Sequence, residues 1–206
     1  MNEPAVSVRN LTKSFSGRRV VDDLTFDVRK GEVFAMLGHN GAGKSTTIDL
    51  ILGLKAPDGG SAKILGMDAA KNRKQVFEQV GVQLQHTQYQ PNITVEEACI
   101  EYASLYAAPA DYPRLLAQFG LSTLRKRFVS KLSGGERQKL SVVLALIGSP
   151  EIVFLDELTT GLDVVARREV WRTLKQLKEQ GLTIFLTTHY MEEAEALCDR
   201  VCILGL

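Results

Sequence analysis

A glycine-rich segment that ends in Lys-Ser-Thr constrains this chain more than any other feature. Residues 38–46 read Gly-His-Asn-Gly-Ala-Gly-Lys-Ser-Thr, which matches the pattern G-x-x-x-x-G-K-[ST], and they follow the apolar run 33–37 directly. In this pattern a strand delivers the loop, and backbone N–H groups converge on phosphate oxygens where a helix begins. The sequence therefore predicts a nucleoside triphosphate site rather than a glycine-rich turn with a solvated lysine.

The residues of this loop have separate expected roles. We expect the ammonium group of Lys44 to reach the β- and γ-phosphates and the hydroxyl of Ser45, at the start of the helix, to ligate Mg²⁺. The residues expected to contact the nucleotide are Gly38, Asn40, Gly41, Ala42, Gly43, Lys44, Ser45 and Thr46.

Composition limits the class of protein. The chain has 206 residues, 45% of them apolar, and 25 Lys and Arg against 24 Asp and Glu, so its formal charge is +1. This size predicts one domain, and the balanced charge does not indicate a nucleic-acid-binding surface. Cys99, Cys198 and Cys202 form no disulfide framework, which favours a reducing, cytosolic compartment. No apolar run approaches the roughly 18 residues that a membrane-spanning helix needs.

The pattern of apolar residues changes along the chain and predicts an interrupted α/β fold. Residues 1–84 are predicted to form a small antiparallel sheet, the glycine-rich loop and part of a parallel sheet. Residues 150–206 are predicted to supply the remaining strands of that parallel sheet. Residues 85–149 have helical patterns and are predicted to form an inserted helical subdomain. Because the chain stops shortly after a strand that begins at Val201, we expect the natural protein to continue beyond residue 206.

Two carboxylates follow the apolar strand at 152–155. Asp156 and Glu157 stand at the carboxyl end of this strand, where open α/β sheets present their ligands. We expect Asp156 to hold Mg²⁺ through a coordinated water and Glu157 to polarise the water that attacks the γ-phosphate. The alternative is an ordinary acidic start of a loop, which the phosphate loop elsewhere in the chain makes less attractive.

A second glycine pair distinguishes this chain from a generic phosphate-loop protein. Residues 132–138 read Leu-Ser-Gly-Gly-Glu-Arg-Gln; Ser133 and Glu136 satisfy a helix capping box, and Gly134 and Gly135 leave N–H groups exposed to an anion. The segment resembles the LSGGQ signature of ATP-binding cassette (ABC) ATPases. That resemblance covers essentially the whole chain and implies a RecA-like P-loop NTPase core, and it implies that Ser133, Gly134 and Gly135 serve a nucleotide held by the opposite subunit.

The resemblance also assigns roles to residues whose local sequence is uninformative. Phe15 is similar in position to the aromatic that stacks on adenine, although a core aromatic of the antiparallel sheet is the alternative. Gln85 resembles the glutamine that touches Mg²⁺ and the membrane partner, with Gln83 as a rival. Asp163 falls in the loop that communicates across the dimer, and His189 resembles the switch histidine at the γ-phosphate.

The family resemblance implies partners as well as chemistry. It implies a head-to-tail dimer with a second ATP-binding subunit, expected to be a copy of this chain, and an integral membrane subunit that holds the pair on the cytoplasmic face of the cell membrane. Residues 81–85, 92–97 and 188–201 are most similar to drug, lipid or polysaccharide exporters. The alternatives are a soluble cassette ATPase acting in translation or DNA repair, a regulatory module without catalysis, and a small-molecule kinase.

Overall fold

Eight strands and seven α-helices build the part of the protein that the computed structural model describes, residues 3–84 and 89–205. The strands in chain order are β1 Val6–Phe15, β2 Arg18–Val28, β3 Val33–Leu37, β4 Gly59–Ile64, β5 Val80–Gln83, β6 Ile152–Asp156, β7 Thr183–Thr188 and β8 Arg200–Ile203. The helices are α1 Lys44–Ile51, α2 Arg73–Phe77, α3 Val95–Ala103, α4 Tyr112–Gln118, α5 Gly134–Leu146, α6 Val164–Glu179 and α7 Met191–Leu197.

The strands form two sheets of different kinds. A three-stranded antiparallel sheet has the order β2-β1-β4, and a five-stranded parallel sheet has the order β5-β6-β7-β3-β8. Strands β3, β6 and β7 are buried along their whole length, which explains why their sequences read as continuous apolar runs rather than as alternating patterns. The carboxyl ends of these three neighbouring strands meet at one edge of the sheet.

The parallel sheet separates two apolar cores. Side chains at successive strand positions point to opposite faces, so Val33 packs in the core beneath α3 to α7 while Phe34 packs in the core beneath the antiparallel sheet and α1. Phe185 lies between Phe34 and Phe154, with ring centroids 5.6 and 5.1 Å away, and Phe26 of β2 stacks on Phe34 at 5.1 Å. These rings attach the antiparallel sheet to the parallel sheet.

A close approach between helix and strand fixes the helical segment against the sheet. A Cβ atom on Gly81 of β5 would lie 2.0 Å from the carbonyl oxygen of Ala145 near the end of α5, so only glycine permits this packing. Helix α5 therefore lies directly on β5. Because a helix is a rigid element, this contact near its carboxyl end also fixes its amino end, which carries the second glycine pair.

The α/β class and the separate antiparallel sheet predicted from the sequence are confirmed, and α2, β5 and α7 are elements that the sequence did not predict. Helix α3 begins at a capping box formed by Thr94 and Glu97 and ends at Ala103. Helix α1 begins at Lys44, one residue before the predicted start, and β4 begins at Gly59. Within residues 3–84 and 89–205, no helix combines the length and the apolar character needed to cross a bilayer.

Candidate active site

The glycine-rich loop runs from the end of β3 to the start of α1 and forms one side of a pocket. Gly41 and Gly43 have φ angles of 85° and 94°, in the left-handed region that glycine adopts without a steric penalty. A Cβ atom on Gly43 would lie 2.5 Å from the carbonyl oxygen of Val20, so the antiparallel sheet supports the loop from below. The pocket has a volume of about 350 Å³ and is lined by Val20, Asn40, Gly41, Gly43, Lys44, Ser45, Thr46 and Glu157.

Lys44 is the centre of this pocket. Its side chain is 3% exposed; Nζ donates hydrogen bonds to the carbonyl oxygens of Gly38 at 2.8 Å and His39 at 3.1 Å, and lies 3.2 Å from Oε1 of Glu157. A buried ammonium group is costly unless it is paired, and here carbonyl dipoles and one carboxylate compensate it. The ammonium group lies in the pocket formed by the loop, where the sequence predicts a bound phosphate.

Asp156 and Glu157 stand at the sheet edge, and Thr187 of β7 organises both. The hydroxyl of Thr187 donates to Oδ1 of Asp156 at 2.5 Å and accepts from the backbone N–H of Glu157 at 3.1 Å. Asp156 is 3% exposed, and Glu157 has a φ angle of 50°, which is uncommon for a residue with a side chain. Such strain occurs where the surrounding structure fixes a functional geometry.

His189 follows β7 and lies beside the second carboxylate. Its Nδ1 atom is 3.9 Å from Oε1 of Glu157, and among the described residues this buried nitrogen has no hydrogen-bond partner. Its ring centroid is 4.0 Å from that of Tyr190. Lys44, Glu157 and His189 therefore form one continuous cluster, with Asp156 joined to it through Thr187.

The predicted capping box at the start of α5 is present. The hydroxyl of Ser133 accepts from the backbone N–H of Glu136 at 3.2 Å, and the Glu136 carboxylate accepts from the backbone N–H of Ser133 at 2.7 Å. This backbone hydrogen bond is the main reason why the pKa of Glu136 lies below its ordinary value, and Arg127, 3.7 Å away, acts in the same direction. Ser133 and Gly134 are exposed, so the amino end of α5 is open to a ligand.

The described pocket does not bring every predicted residue together. Ser133, Gly134 and Gly135 are absent from its lining, as is Phe15, whose ring is 41% exposed and has the Nζ atoms of Lys13 and Lys55 each 5.6 Å from its centroid. Asp163 caps α6 through hydrogen bonds to the N–H groups of Val165 and Ala166.

The two rival glutamines differ in what the structure describes. Gln85 lies outside the described residues, so its assignment stays a prediction. Gln83 is 2% exposed; its amide nitrogen donates to the carbonyl oxygen of Leu84 at 2.8 Å, and its amide oxygen has no hydrogen-bond partner in the described part of the chain.

Two contributors to the site were missed from the sequence. Val20 lines the pocket from β2, and no local pattern could have placed it there because the contact spans two sheets. The role of Thr187 could have been predicted from its position near the end of an apolar strand and shortly before His189. A buried hydroxyl at such a position needs a polar partner.

Comparison with known proteins gives a consistent result. The ABC transporter family matches residues 21–160. The Nod factor export ATP-binding protein I of Paraburkholderia xenovorans is 39% identical, over 99% of this chain and 69% of its own length. The protein of the same name from Mesorhizobium japonicum is 40% identical, over 97% of this chain and 60% of its own length.

Solved structures agree with the sequence relatives. An ATP-binding subunit of an ABC transporter superposes with a TM-score of 0.87 at 32% identity, covering 98% of this chain and 86% of that chain. An ATP-binding cassette at 21% identity, with a TM-score of 0.88 over 99% of this chain and 88% of that chain, supports the fold alone. The predicted P-loop NTPase core is thereby confirmed, and the chain belongs to the ABC transporter family, as an ATP-binding subunit whose activity is ATP hydrolysis coupled to transport.

Proposed function

We propose that two copies of this chain bind ATP between them, head to tail, and that hydrolysis of this ATP drives the transport cycle. The observation that carries the proposal is that the candidate anion-binding groups of one chain lie in two separate places. Lys44 and the glycine-rich loop line the pocket, whereas the open, glycine-rich amino end of α5 at Ser133 does not line it. A second protomer that supplies its α5 to this pocket would complete the set of phosphate contacts.

Within this composite site each residue has a distinct proposed role. The backbone of the glycine-rich loop and Lys44 hold the phosphates, Glu157 orients and polarises the attacking water, and His189 contacts the γ-phosphate. Phe15 is proposed to stack on the adenine, and Asp163 to contact the partner. Residues 85–149 are proposed to act as the subdomain that carries the signature segment, with residues 1–84 and 150–206 as the core.

The donors around the pocket suit Mg²⁺. Ser45 lines the pocket, and the Asp156 carboxylate, buried and held by Thr187, supplies hard oxygen atoms that would hold this ion through a coordinated water. Gln85 is proposed as a further ligand. When bound, the ion offsets the negative charge that accumulates between the β- and γ-phosphates. Ser45, at the start of α1, and Asp156, at the end of β6, would hold this ion.

We further propose that the subunit works with an integral membrane partner and powers export, from the cytoplasmic face of the membrane. Several of the relatives are named for Nod factor export, and their 37–40% identity extends over at least 97% of this chain. These relatives and the net charge of +1 do not favour a soluble ATPase that acts on nucleic acid. In this proposal the membrane partner, rather than this subunit, selects the exported molecule.

The Glu157→Gln variant tests the proposed site. Because the amide retains the shape of the side chain but polarises water poorly, we expect kcat for ATP hydrolysis to fall by about 10²- to 10⁴-fold. ATP binding should persist, and the variant should elute as a dimer in size-exclusion chromatography with MgATP and as a monomer without it. Phosphate release is measured without any acceptor, which separates an ATPase from a kinase.

Glu151→Gln is the matched control. Glu151 is an exposed carboxylate just before β6, paired with Lys30 at 3.1 Å, and its neutralisation should change neither turnover nor oligomeric state. Unchanged hydrolysis in the Glu157 variant would refute the water-activating role. A Glu157 variant that is slow but remains monomeric with MgATP would refute the composite site and leave the catalytic role intact.

A further inference from the structure

A stack of three side chains at the amino ends of α6 and α7 lies next to the proposed hydrolytic cluster. The guanidinium carbon of Arg167 is 4.3 Å from the centroid of the Tyr190 ring, a close cation–π contact. The Tyr190 ring centroid is 4.0 Å from that of His189, with the ring planes inclined by 40°. Tyr190 therefore lies in contact with both a cation and the histidine beside Glu157.

The two ends of this stack reach functionally distinct places. On one side, Nη2 of Arg167 donates to the carbonyl oxygen of Leu162 at 3.5 Å, within the loop 161–163. On the other side, Nδ1 of His189 lies 3.9 Å from Oε1 of Glu157. A continuous series of contacts thus runs from the loop that precedes α6 to the carboxylate at the end of β6.

Leu162 extends this series to the signature segment. Its side chain lies beside Gly135, where a Cβ atom would be in van der Waals contact, 3.4 Å from Cδ2 of Leu162. The surface that is offered to a second protomer and the cluster that hydrolyses ATP are therefore linked inside a single protomer, through Leu162, Arg167 and Tyr190.

The histidine depends on this stack for its orientation. Among the described residues its buried Nδ1 atom makes no hydrogen bond, and Nε of Arg167 is likewise buried without one. By contrast, the backbone of Tyr190 is fixed, because its N–H donates to the hydroxyl of Thr188 at 3.0 Å. Ring contact with Tyr190 thus restrains the imidazole where Nδ1 makes no hydrogen bond, and the guanidinium group of Arg167 packs on the same tyrosine ring.

We propose that Arg167 and Tyr190 are positioning residues for ATP hydrolysis, which hold His189 toward Glu157 and relay the position of the loop 161–163 to it. The inference rests on the proposed function of His189. Neither residue lines the described pocket. A partner that displaces the Leu162 carbonyl moves the guanidinium group, and through the tyrosine ring it changes the placement of the imidazole.

Steady-state kinetics of four variants tests the relay. Tyr190→Leu removes the ring, Tyr190→Phe keeps it, Arg167→Ala removes the cation, and Arg168→Ala is the control, because this neighbouring arginine of α6 is exposed and makes no such stack. We expect Tyr190→Leu and Arg167→Ala to lower kcat by about 10- to 100-fold through misplacement of His189, with KM for ATP nearly unchanged. Tyr190→Phe and Arg168→Ala should behave as the unmodified protein.

A double-mutant cycle separates positioning from a general loss of structure. If Tyr190 acts through His189, adding Tyr190→Leu to a His189→Ala variant should lower kcat no further. If the losses of kcat in the two single variants multiply in the double variant, the relay is overturned. It is also overturned if Tyr190→Leu and Arg167→Ala both retain full kcat. Thermal unfolding midpoints establish that the variants fold, and Arg167→Ala, at a half-buried helix position, carries the test if Tyr190→Leu does not fold.

The His189→Ala variant also distinguishes two kinds of failure. Loss of activity in this variant together with normal activity in the stack variants would overturn the relay and leave the proposed function standing. Full activity of His189→Ala would instead refute the role that the proposed function gives to the histidine, and the relay with it.

Discussion

At the scale of single residues, the Thr187 hydroxyl hydrogen-bonds to the Asp156 carboxylate and to the backbone N–H of Glu157. Valine has nearly the same shape but no hydroxyl, so Thr187→Val leaves Oδ1 of Asp156 buried without this donor. We expect the free energy of unfolding to fall by about 1–3 kcal/mol. Because Asp156 is the proposed metal ligand, the Mg²⁺ concentration for half-maximal hydrolysis should rise. Urea unfolding and a Mg²⁺ titration of ATPase activity measure the two effects.

Two further threonine variants control this prediction. Thr187→Ser keeps the hydroxyl and should retain the Mg²⁺ dependence of the unmodified protein. Thr183, at the other end of the same strand, is 2% exposed and accepts from the N–H of Gly31 at 2.9 Å. Thr183→Val should therefore reduce stability without changing the Mg²⁺ dependence. An equal change in Mg²⁺ dependence in the two valine variants would contradict a specific role of Thr187.

The residues that were predicted from sequence are those whose chemistry follows from local spacing. Lys44 is recognisable because the loop pattern places it beside converging N–H groups, and Glu157 because it directly follows a buried strand. The contacts that complete the site are nonlocal. Val20 of β2 lines the pocket from the antiparallel sheet, and Arg167 of α6 packs on Tyr190, which directly precedes α7. Such contacts depend on how elements pack, which no short sequence window contains.

At the scale of elements, two helices with the same cap differ in proposed function. Thr94 at the start of α3 and Ser133 at the start of α5 both form complete capping boxes. Ser133→Ala and Thr94→Ala should each lower the free energy of unfolding by about 0.5–2 kcal/mol. Only Ser133→Ala should weaken ATP-driven dimerisation and hydrolysis, because only this hydroxyl is proposed to meet the nucleotide. Chemical denaturation and phosphate release, measured on both variants, give the comparison.

These element boundaries also mark where sequence reasoning holds and where it stops. The capping box at Ser133 was predicted correctly because it involves residues three positions apart, and the buried strands because their apolar runs are continuous. Sheet order was not predicted: β3 pairs with β7 and β8, which follow it by about 150 residues. The contact of Gly81 with the carbonyl oxygen of Ala145 is equally nonlocal, although a glycine within a strand is a signal of close backbone approach.

At the scale of the whole molecule, each protomer carries the two proposed halves of an ATP site, and the described part of the chain does not join them in one pocket. The phosphate loop and the amino end of α5 arise from distant parts of the chain, and the parallel sheet and its helices hold each in a fixed place. In the proposed head-to-tail pair, two composite sites would be related by symmetry. Each would take its lysine from one copy and Ser133 from the other.

Mixing two inactive variants tests this arrangement. Lys44→Ala removes the phosphate-binding cation. Gly134→Asp places a negative charge where the γ-phosphate should lie, and it should fold because nothing lies within 4 Å of a Cβ at this position. Each variant alone should be inactive, since both sites of its dimer carry the defect. In a mixed dimer one site carries both defects and the other carries none, so an equimolar mixture should regain roughly a quarter of the unmodified activity. A mixture as inactive as its components would indicate that loop and signature serve the same nucleotide from one chain, which would exclude the shared site.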